Sequence, residues 1–216
     1  MISTPKIKYI IWDWNGTLID DAWLFVDLMN DELNSRNLPN ITINDYQKYF
    51  TFPVKKYYET LGFDFNKEDF KEVGYAFIQK FKNRKFEAKL FSSTQFILKF
   101  VKKENIEQSI VSAQEHNLLN ETVNYYQLNS YFESILGIDN YYADSKIQIA
   151  KKLREKIKYK DKEILLIGDS VHDFEVSRAL NINCVLYSKG HYTKKRLEKC
   201  NCPIIDNHQQ LTNILI

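Results

Sequence analysis

Four short stretches of this 216-residue chain place polar side chains just after apolar runs or at the head of a helical pattern. The first is Asp13-Trp14-Asn15-Gly16-Thr17-Leu18, which closes the apolar run Ile7 to Trp12. The second is Ser112, at the end of Ser109-Ile110-Val111, and the third is Lys146, which opens a helical pattern. The fourth is Gly168-Asp169-Ser170-Val171-His172-Asp173, behind Ile164-Leu165-Leu166-Ile167. Together they suit attack on a phosphate ester. Such an ester is shielded by its own negative charge, so an anionic nucleophile needs a cation to neutralise the oxygens and donors to hold them. Asp13 is the candidate nucleophile, and Asp13 and Asp169 offer hard oxygen ligands of the kind Mg²⁺ prefers. Ser112 and Thr17 can donate to phosphate oxygens, and Gly16 permits a backbone tight enough for a phosphate to approach. Lys146 would supply the fixed positive charge, and Asp173 would anchor that lysine or a metal-bound water.

Singly, each stretch has a plainer reading. Asp-x-Asn-Gly-Thr is often just a turn after a strand, a lone Lys opening a helix is usually solvated, and a strand-end Ser usually bonds backbone. Their joint occurrence, in order and each at an expected strand end or helix start, favours the chemical reading.

These positions require a particular set of elements. Ile7 to Trp12, the run ending at Ser112, Ser134 to Gly137, Ile164 to Ile167 and Cys184 to Tyr187 read as strands. Between them lie helical patterns near Ser93 to Glu104, Glu115 to Tyr126, Lys146 to Ile157 and His172 to Leu180, with a terminal helix near His208 to Leu215. Alternation of this kind predicts an α/β fold with a doubly wound parallel sheet, whose ligands bind at the carboxyl ends of the strands. From Asp21 to Phe86 the pattern is helical without a convincing strand: Asp21 to Arg36, Asn44 to Phe50, Val54 to Leu61, and Lys67 to Phe86 behind Asn66 as N-cap. Residues 1–19 and 89–216 are therefore expected to form the α/β core, and residues 20–88 a helical cap inserted after the first strand. The cap aromatics Trp23, Phe25, Tyr46, Tyr49, Phe50, Phe52, Tyr57 and Tyr58 could line a substrate pocket, although cap core is the plainer expectation for most.

The four stretches resemble the motifs of the haloacid-dehalogenase superfamily, Asp-x-Asp-Gly-Thr, a Ser or Thr, a Lys, and Gly-Asp-x-x-x-Asp, over nearly the whole chain. Gly168 to Leu180, followed by Gly190-His191, further resembles the phosphoglycolate-phosphatase-like branch. The resemblance implies a Rossmann-like core with an inserted cap, and a Mg²⁺-dependent phosphatase that acts on a small phosphorylated metabolite through an aspartyl-phosphate on Asp13. It also implies metal ligation by Asp13, Asp169, Asp173 and the backbone carbonyl of Asn15, with Ser112, Thr17 and Gly16 around the phosphate and Lys146 as the catalytic cation.

One position departs from the family. Where the second aspartate would act as general acid and then general base, this chain has Asn15, whose amide cannot exchange a proton at neutral pH. An enzyme with Asn15 calls for a leaving group that needs little protonation, such as an acyl phosphate, or for another group or water to move the proton; Asp20 and Asp21 are nearby candidates, although carboxylates opening a helix are more often dipole partners. The competing readings are a phosphate- and metal-binding regulatory protein with weak turnover, a phosphonate-cleaving relative that would draw a lysine such as Lys55 or Lys56 from the cap, and a phosphomutase, which Asn15 disfavours.

Composition narrows the rest. Thirty Lys and Arg against 28 Asp and Glu leave a formal charge of +2, too little for a nucleic-acid-binding field. Cys184, Cys200 and Cys202 make no even disulfide framework, and the Cys-x-Cys lacks a second ligand pair for zinc, which fits reduced thiols and a cytoplasmic location. The N-terminal apolar run is too short and too charged for a signal peptide or a membrane span. His172, between Asp169 and Asp173, invites a catalytic role, with an exposed or capping histidine at a helix start at least as good a reading, and His116, His191 and His208 have no partner spacing for a metal site.

Overall fold

A computed structural model describes residues 6–139 and 146–215; the first residues of the N-terminal stretch lie outside the described range. In chain order the elements are β1 (Tyr9–Trp12), β2 (Ile19–Asp20), α1 (Ala22–Asn34), α2 (Ile43–Tyr49), α3 (Val54–Thr60), α4 (Phe70–Arg84), β3 (Lys89–Leu90), α5 (Thr94–Lys103), β4 (Glu107–Glu115) and α6 (His116–Tyr125). They continue with β5 (Ser134–Ile138), α7 (Lys146–Lys156), β6 (Ile164–Gly168), α8 (Val171–Ala179), β7 (Asn183–Tyr187), α9 (Lys194–Leu197), β8 (Ile204–Ile205) and α10 (Thr212–Leu215). Six strands form one sheet in the order β5-β4-β1-β6-β7-β8, with every pairing parallel. This is the doubly wound α/β architecture that the alternating pattern predicts.

The strands are apolar on both faces because helices cover both sides. Along β1 the period of two is visible: Ile10 and Trp12 join one buried cluster, whereas Tyr9 and Ile11 join the other. The register of β1 puts Trp12 level with Ile110 of β4 and Ile167 of β6. The three chains therefore leave the sheet close together, and Asp13, Ser112 and Asp169 emerge at one carboxyl edge. Chain order reverses at β1, between β4 and β6, which is the switch point where open α/β sheets bind ligands.

Four helices, α1 to α4, lie between β1 and β3. Two chain segments connect them to the rest, and β2 and β3 pair there as an antiparallel ribbon, Ile19 with Leu90 and Asp20 with Lys89. Two-residue strands are too short for periodicity to reveal. The expected helix behind Asn66 starts later: Asn66 donates to Asp64 in a turn, and the carboxylate of Asp69 caps α4 by accepting from the Lys71 N–H at 2.6 Å. The terminal helix is also divided, into a 3₁₀ turn over His208–Leu211 and α10. The edge strand β8 and the short α9 were not evident in the sequence pattern. No described helix is long and apolar enough to cross a membrane.

Candidate active site

Asp13, one residue beyond β1, is held from two sides. Lys146, the first residue of α7, donates to Asp13 Oδ1 at 2.5 Å and to Asp173 Oδ1 at 2.5 Å. The Thr17 hydroxyl lies 3.3 Å from both Asp13 Oδ2 and Asp169 Oδ1. Asp173 is fixed in turn by the start of α8, where the Ser170 hydroxyl and N–H donate to its Oδ2 at 2.6 and 3.0 Å. A Ser-x-x-Asp capping box thus does a second job: while it closes the helix, it aims a carboxylate at Lys146.

Charge inside this cluster is unbalanced. Asp13, Asp21, Asp169 and Asp173 are all buried, and the described residues set Lys146 and His191 against them as cations. Burial pushes the Asp13 carboxyl up to about 6 against the pull of Lys146, and burial drives Asp169 well above the usual carboxylate range. For Asp173 burial pushes the same way, but Lys146 and Ser170 outweigh it and hold the group below the ordinary value. Lys146 is held charged by the two carboxylates despite its burial. Ligand oxygens from Asp13, Asp169 and Asp173 can lie within 4.8 Å of one another. Hard oxygens at that spacing, with an excess of negative charge, fit a divalent cation. The backbone around them is close: a Cβ on Gly190 would come within 2.2 Å of Asp169 Oδ2, and on Gly16 within 2.3 Å of His191.

Asn15 does not stand where an acid would be free to act. Its Nδ2 donates to Asp21 Oδ2 at 2.5 Å, and Gly16 N–H donates to Asp21 Oδ1 at 2.9 Å. Asp21 occupies the N-cap position of α1 yet makes no side-chain cap, because both its oxygens are turned to this network. His191 Nε2 lies 3.2 Å from Asp21 Oδ1, and its Nδ1 pairs with the Tyr46 hydroxyl at 2.8 Å. Burial alone would lower the imidazole pKa, but the Asp21 bond and neighbouring acids raise it to about 9, so this ring is charged at neutral pH. The His191 N–H also donates to Asp169 Oδ2 at 2.5 Å.

The candidates divide by position. Asp13, Asn15, Ser112, Lys146, Asp169 and Asp173 all line one cavity of about 170 Å³ that runs from the strand ends to helices α1 to α4. Thr17 and Gly16, expected around the phosphate, do not line this cavity: Thr17 is fully buried with its hydroxyl between two carboxylates, and the Gly16 N–H donates to Asp21. Ser112 Oγ accepts the Gln114 N–H and lies 3.5 Å from Asn15 Oδ1, a contact long enough to give way to a phosphoryl oxygen.

The link from Asp21 through His191 to Tyr46 is what sequence reasoning passed over. His191 is 170 positions from Asp21, and nothing in local spacing joins them. The Gly190-His191 pair was the available signal. The expectation of cap core holds for most of the aromatics, since Tyr46, Tyr57 and Tyr58 join the main buried cluster and Phe25 and Phe50 pack against it, and several of these rings also face the cavity. Phe25, Tyr46, Phe50, Phe52, Tyr57 and Tyr58 line the cavity, while Trp23 and Tyr49 are exposed. His172 is neither exposed nor a cap; it lines the cavity beside Phe52, ring centroids 5.0 Å apart.

A parallel sheet with a nucleophile candidate at its switch point, backed by a lysine and two carboxylates, defines a hydrolase of the haloacid-dehalogenase type. The chain belongs to the haloacid dehalogenase-like hydrolases, whose family model matches residues 10–187. Solved structures agree in fold. A haloacid dehalogenase-like family hydrolase from Streptococcus pneumoniae superposes with TM-score 0.84 at 15% identity, covering 97% of this chain and 99% of that one. A predicted phosphatase from Clostridium acetobutylicum gives 0.79 at 18% identity, with 98% and 99% covered. A predicted phosphoglycolate phosphatase from Haemophilus somnus gives 0.78 at 17%, with 99% and 100% covered. No curated protein matches the sequence.

Proposed function

We propose that the chain hydrolyses a small phosphorylated metabolite by a two-step transfer through Asp13. The observation that carries this reading is the Asp13–Lys146–Asp173 chain, which orients one carboxylate at the cavity floor and fixes a cation beside it. In the first step an Asp13 oxygen attacks phosphorus, and the bond to the leaving oxygen breaks with its electron pair on that oxygen. In the second, water attacks the aspartyl-phosphate, releases inorganic phosphate and restores the carboxylate. Ser112 and Lys146 hold the phosphoryl oxygens, and Lys146 remains charged throughout because Asp173 keeps it so. Asp13, Asp169, Asp173 and the Asn15 carbonyl would hold Mg²⁺, which supplies charge neutralisation on the phosphoryl group.

Residues 20–88 serve in this reading as a cap that closes the site. The β2–β3 ribbon marks the two crossings, and α2 is fastened to the far loop by Gln47 Nε2 to Gly190 O at 2.7 Å and by Arg196 Nη1 to the Gln47 and Phe50 carbonyls. A phosphonate-cleaving chemistry finds no support in the cap lysines. Neither Lys55 nor Lys56 lines the cavity; Lys55 lies over the Phe65 ring near Glu59, and Lys56 is exposed.

The test is phosphate release from phenyl phosphate. Activity should vanish in EDTA, return with Mg²⁺, and fall by about 10³ or more in Asp13→Asn. Release that is indifferent to the chelator and to the substitution would overturn the assignment.

A further inference from the structure

The wall of the cavity is unusual for a site that handles anions. Beyond the strand ends it consists of Phe25, Phe50, Phe52, Tyr57, Val54 and their apolar neighbours. Lys146 is the one lysine or arginine among the described lining residues, and both of its close partners are carboxylates, Asp13 and Asp173. The ring nitrogens of His191 are likewise engaged, by Asp21 and Tyr46. The remaining lining acid, Glu115, spends its oxygens on the Asn117 and Leu118 N–H groups at the head of α6. A leaving group carrying its own carboxylate or second phosphate would enter this cavity with no free lysine or arginine among the described lining residues to meet it and with acids already present. An unpaired charge in such surroundings is strongly disfavoured.

A polyol fares little better, since the wall offers few polar groups. Those it does offer are specific. The Tyr57 hydroxyl, the Gln114 amide and His172 Nε2 are buried, line the cavity and have no hydrogen-bond partner among the described residues. Tyr57 is 1% exposed, and its ring packs among those of Tyr46, Phe50 and Tyr58. A buried hydroxyl left unsatisfied is destabilising, a cost that a ligand group can recover.

We infer that the substrate is a phosphate monoester of an uncharged, ring-bearing alcohol or phenol that carries a neutral hydrogen-bonding group for Tyr57 and Gln114. This inference rests on the phosphatase reading and gives it a substrate class. Position 15 favours the phenol members of this class independently, because a phenolic oxygen departs without the proton that Asn15 cannot give. Aromatic rings stack or meet edge-on with Phe50, Phe52 and Phe25, and their faces are compatible with the ring clusters already there.

The experiment separates charge from leaving-group reactivity. The first pair is 4-carbamoylphenyl phosphate against 4-carboxyphenyl phosphate, two esters of nearly equal shape, one neutral and one charged, each rate being divided by the uncatalysed hydrolysis rate of the same ester so that the weaker electron withdrawal of the carboxylate cancels. The second is benzyl phosphate against phosphoglycolate, two primary alkyl esters. With Mg²⁺ and full-length protein, kcat/KM should favour the neutral member of each pair by about tenfold or more, the ratio that 1.4 kcal/mol supplies. Tyr57→Phe should shrink the preference for the carbamoyl ester over phenyl phosphate, an effect seen in KM. Asp13-dependent release that treats the charged members equally or better would overturn the substrate class and leave the phosphatase reading standing. If no ester is cleaved, the phosphatase reading fails, and calorimetric binding decides the substrate class: benzylphosphonate should bind more tightly than phosphonoacetate, and the reverse order overturns the inference.

Discussion

At position 15 an amide faces a buried carboxylate, and this pairing decides what mutagenesis there will show. Asn15→Asp alone would set two carboxylates at the 2.5 Å separation now bridged by an N–H···O bond, so one must hold a proton or turn away. The single substitution should therefore bring only a small gain in benzyl phosphate turnover. The exchanged pair, Asn15→Asp with Asp21→Asn, keeps the network and reverses the bond between positions 15 and 21. The amide oxygen introduced at position 21 accepts from Gly16 N–H and His191, and the amide nitrogen beside it donates to the carboxylate introduced at position 15. General acid–base catalysis is worth about 10²–10⁴, so the double variant should exceed the single one by at least the lower part of that range for alkyl esters. Steady-state rates on benzyl phosphate check this, and a double variant no faster than the single one would remove Asn15 as the limiting position. The residues that carry the motif were legible because they recur in order, each at a strand end or helix start, where their joint occurrence signals use. The pairing of Asp21 with His191 was not, because it exists only after the chain beyond β1 and the loop beyond β7 meet.

Among the elements, α2 is the one whose position depends most on polar contacts with the core. Its last turn and the residue after it give carbonyls to Arg196, whose guanidinium also lies over the Tyr192 ring at 3.7 Å. Tyr46 and Gln47 reach the same loop through His191 and Gly190. Arg196→Ala removes one donor group from two carbonyls and keeps the other bonds, a loss of about 1–3 kcal/mol if the carbonyls stay buried. Hydrogen exchange over residues 43–50 should accelerate, KM for phenyl phosphate should rise, and kcat should change little. Exchange at the wild-type rate would mean that the Arg196 bonds do not hold α2 and that its packing and the Tyr46 and Gln47 contacts suffice. The sequence pattern placed α1, α2 and α3 to within a residue or two, since their apolar spacing is strong. It missed β2 and β3, which are held by the meeting of two chain crossings rather than by any run of their own, and it misjudged the cap of α4, where Asn66 and Asp69 both suit an N-cap by type and only the Asp64 turn distinguishes them.

On the scale of the whole molecule, the two sheet faces bury separate clusters, and the first of them continues from the core strands into the cap helices. That continuity explains why composition and periodicity revealed the layers, while the cavity within them had to be seen: rings at the same helical spacing can pack together or face open space. The first face also carries a titratable group in an apolar setting. His208 is fully buried, stacked on Tyr187 at 4.3 Å and bonded through Nδ1 to the Ser93 hydroxyl at 2.9 Å. Burial lowers its pKa from the usual 6.5 to about 4, so the ring is neutral in the fold. The unfolded chain binds a proton at this residue below about 6.5 and the folded chain does not, so stability is present above that pH and is lost as pH falls toward 4. The shift corresponds to about 3 kcal/mol in total, of which about 2 kcal/mol should be gone by pH 5. His208→Phe keeps a ring against Tyr187 and removes the proton site, although it also leaves the Ser93 hydroxyl without its partner and so lowers stability at neutral pH. Urea unfolding of both proteins at pH 7 and pH 5 isolates the effect, because the buried carboxylates titrate alike in each and cancel in the difference. The wild type should lose about 2 kcal/mol more than the variant between the two values. Equal losses would place a proton on His208 in the folded state, and its ring would then have found an acceptor within the core.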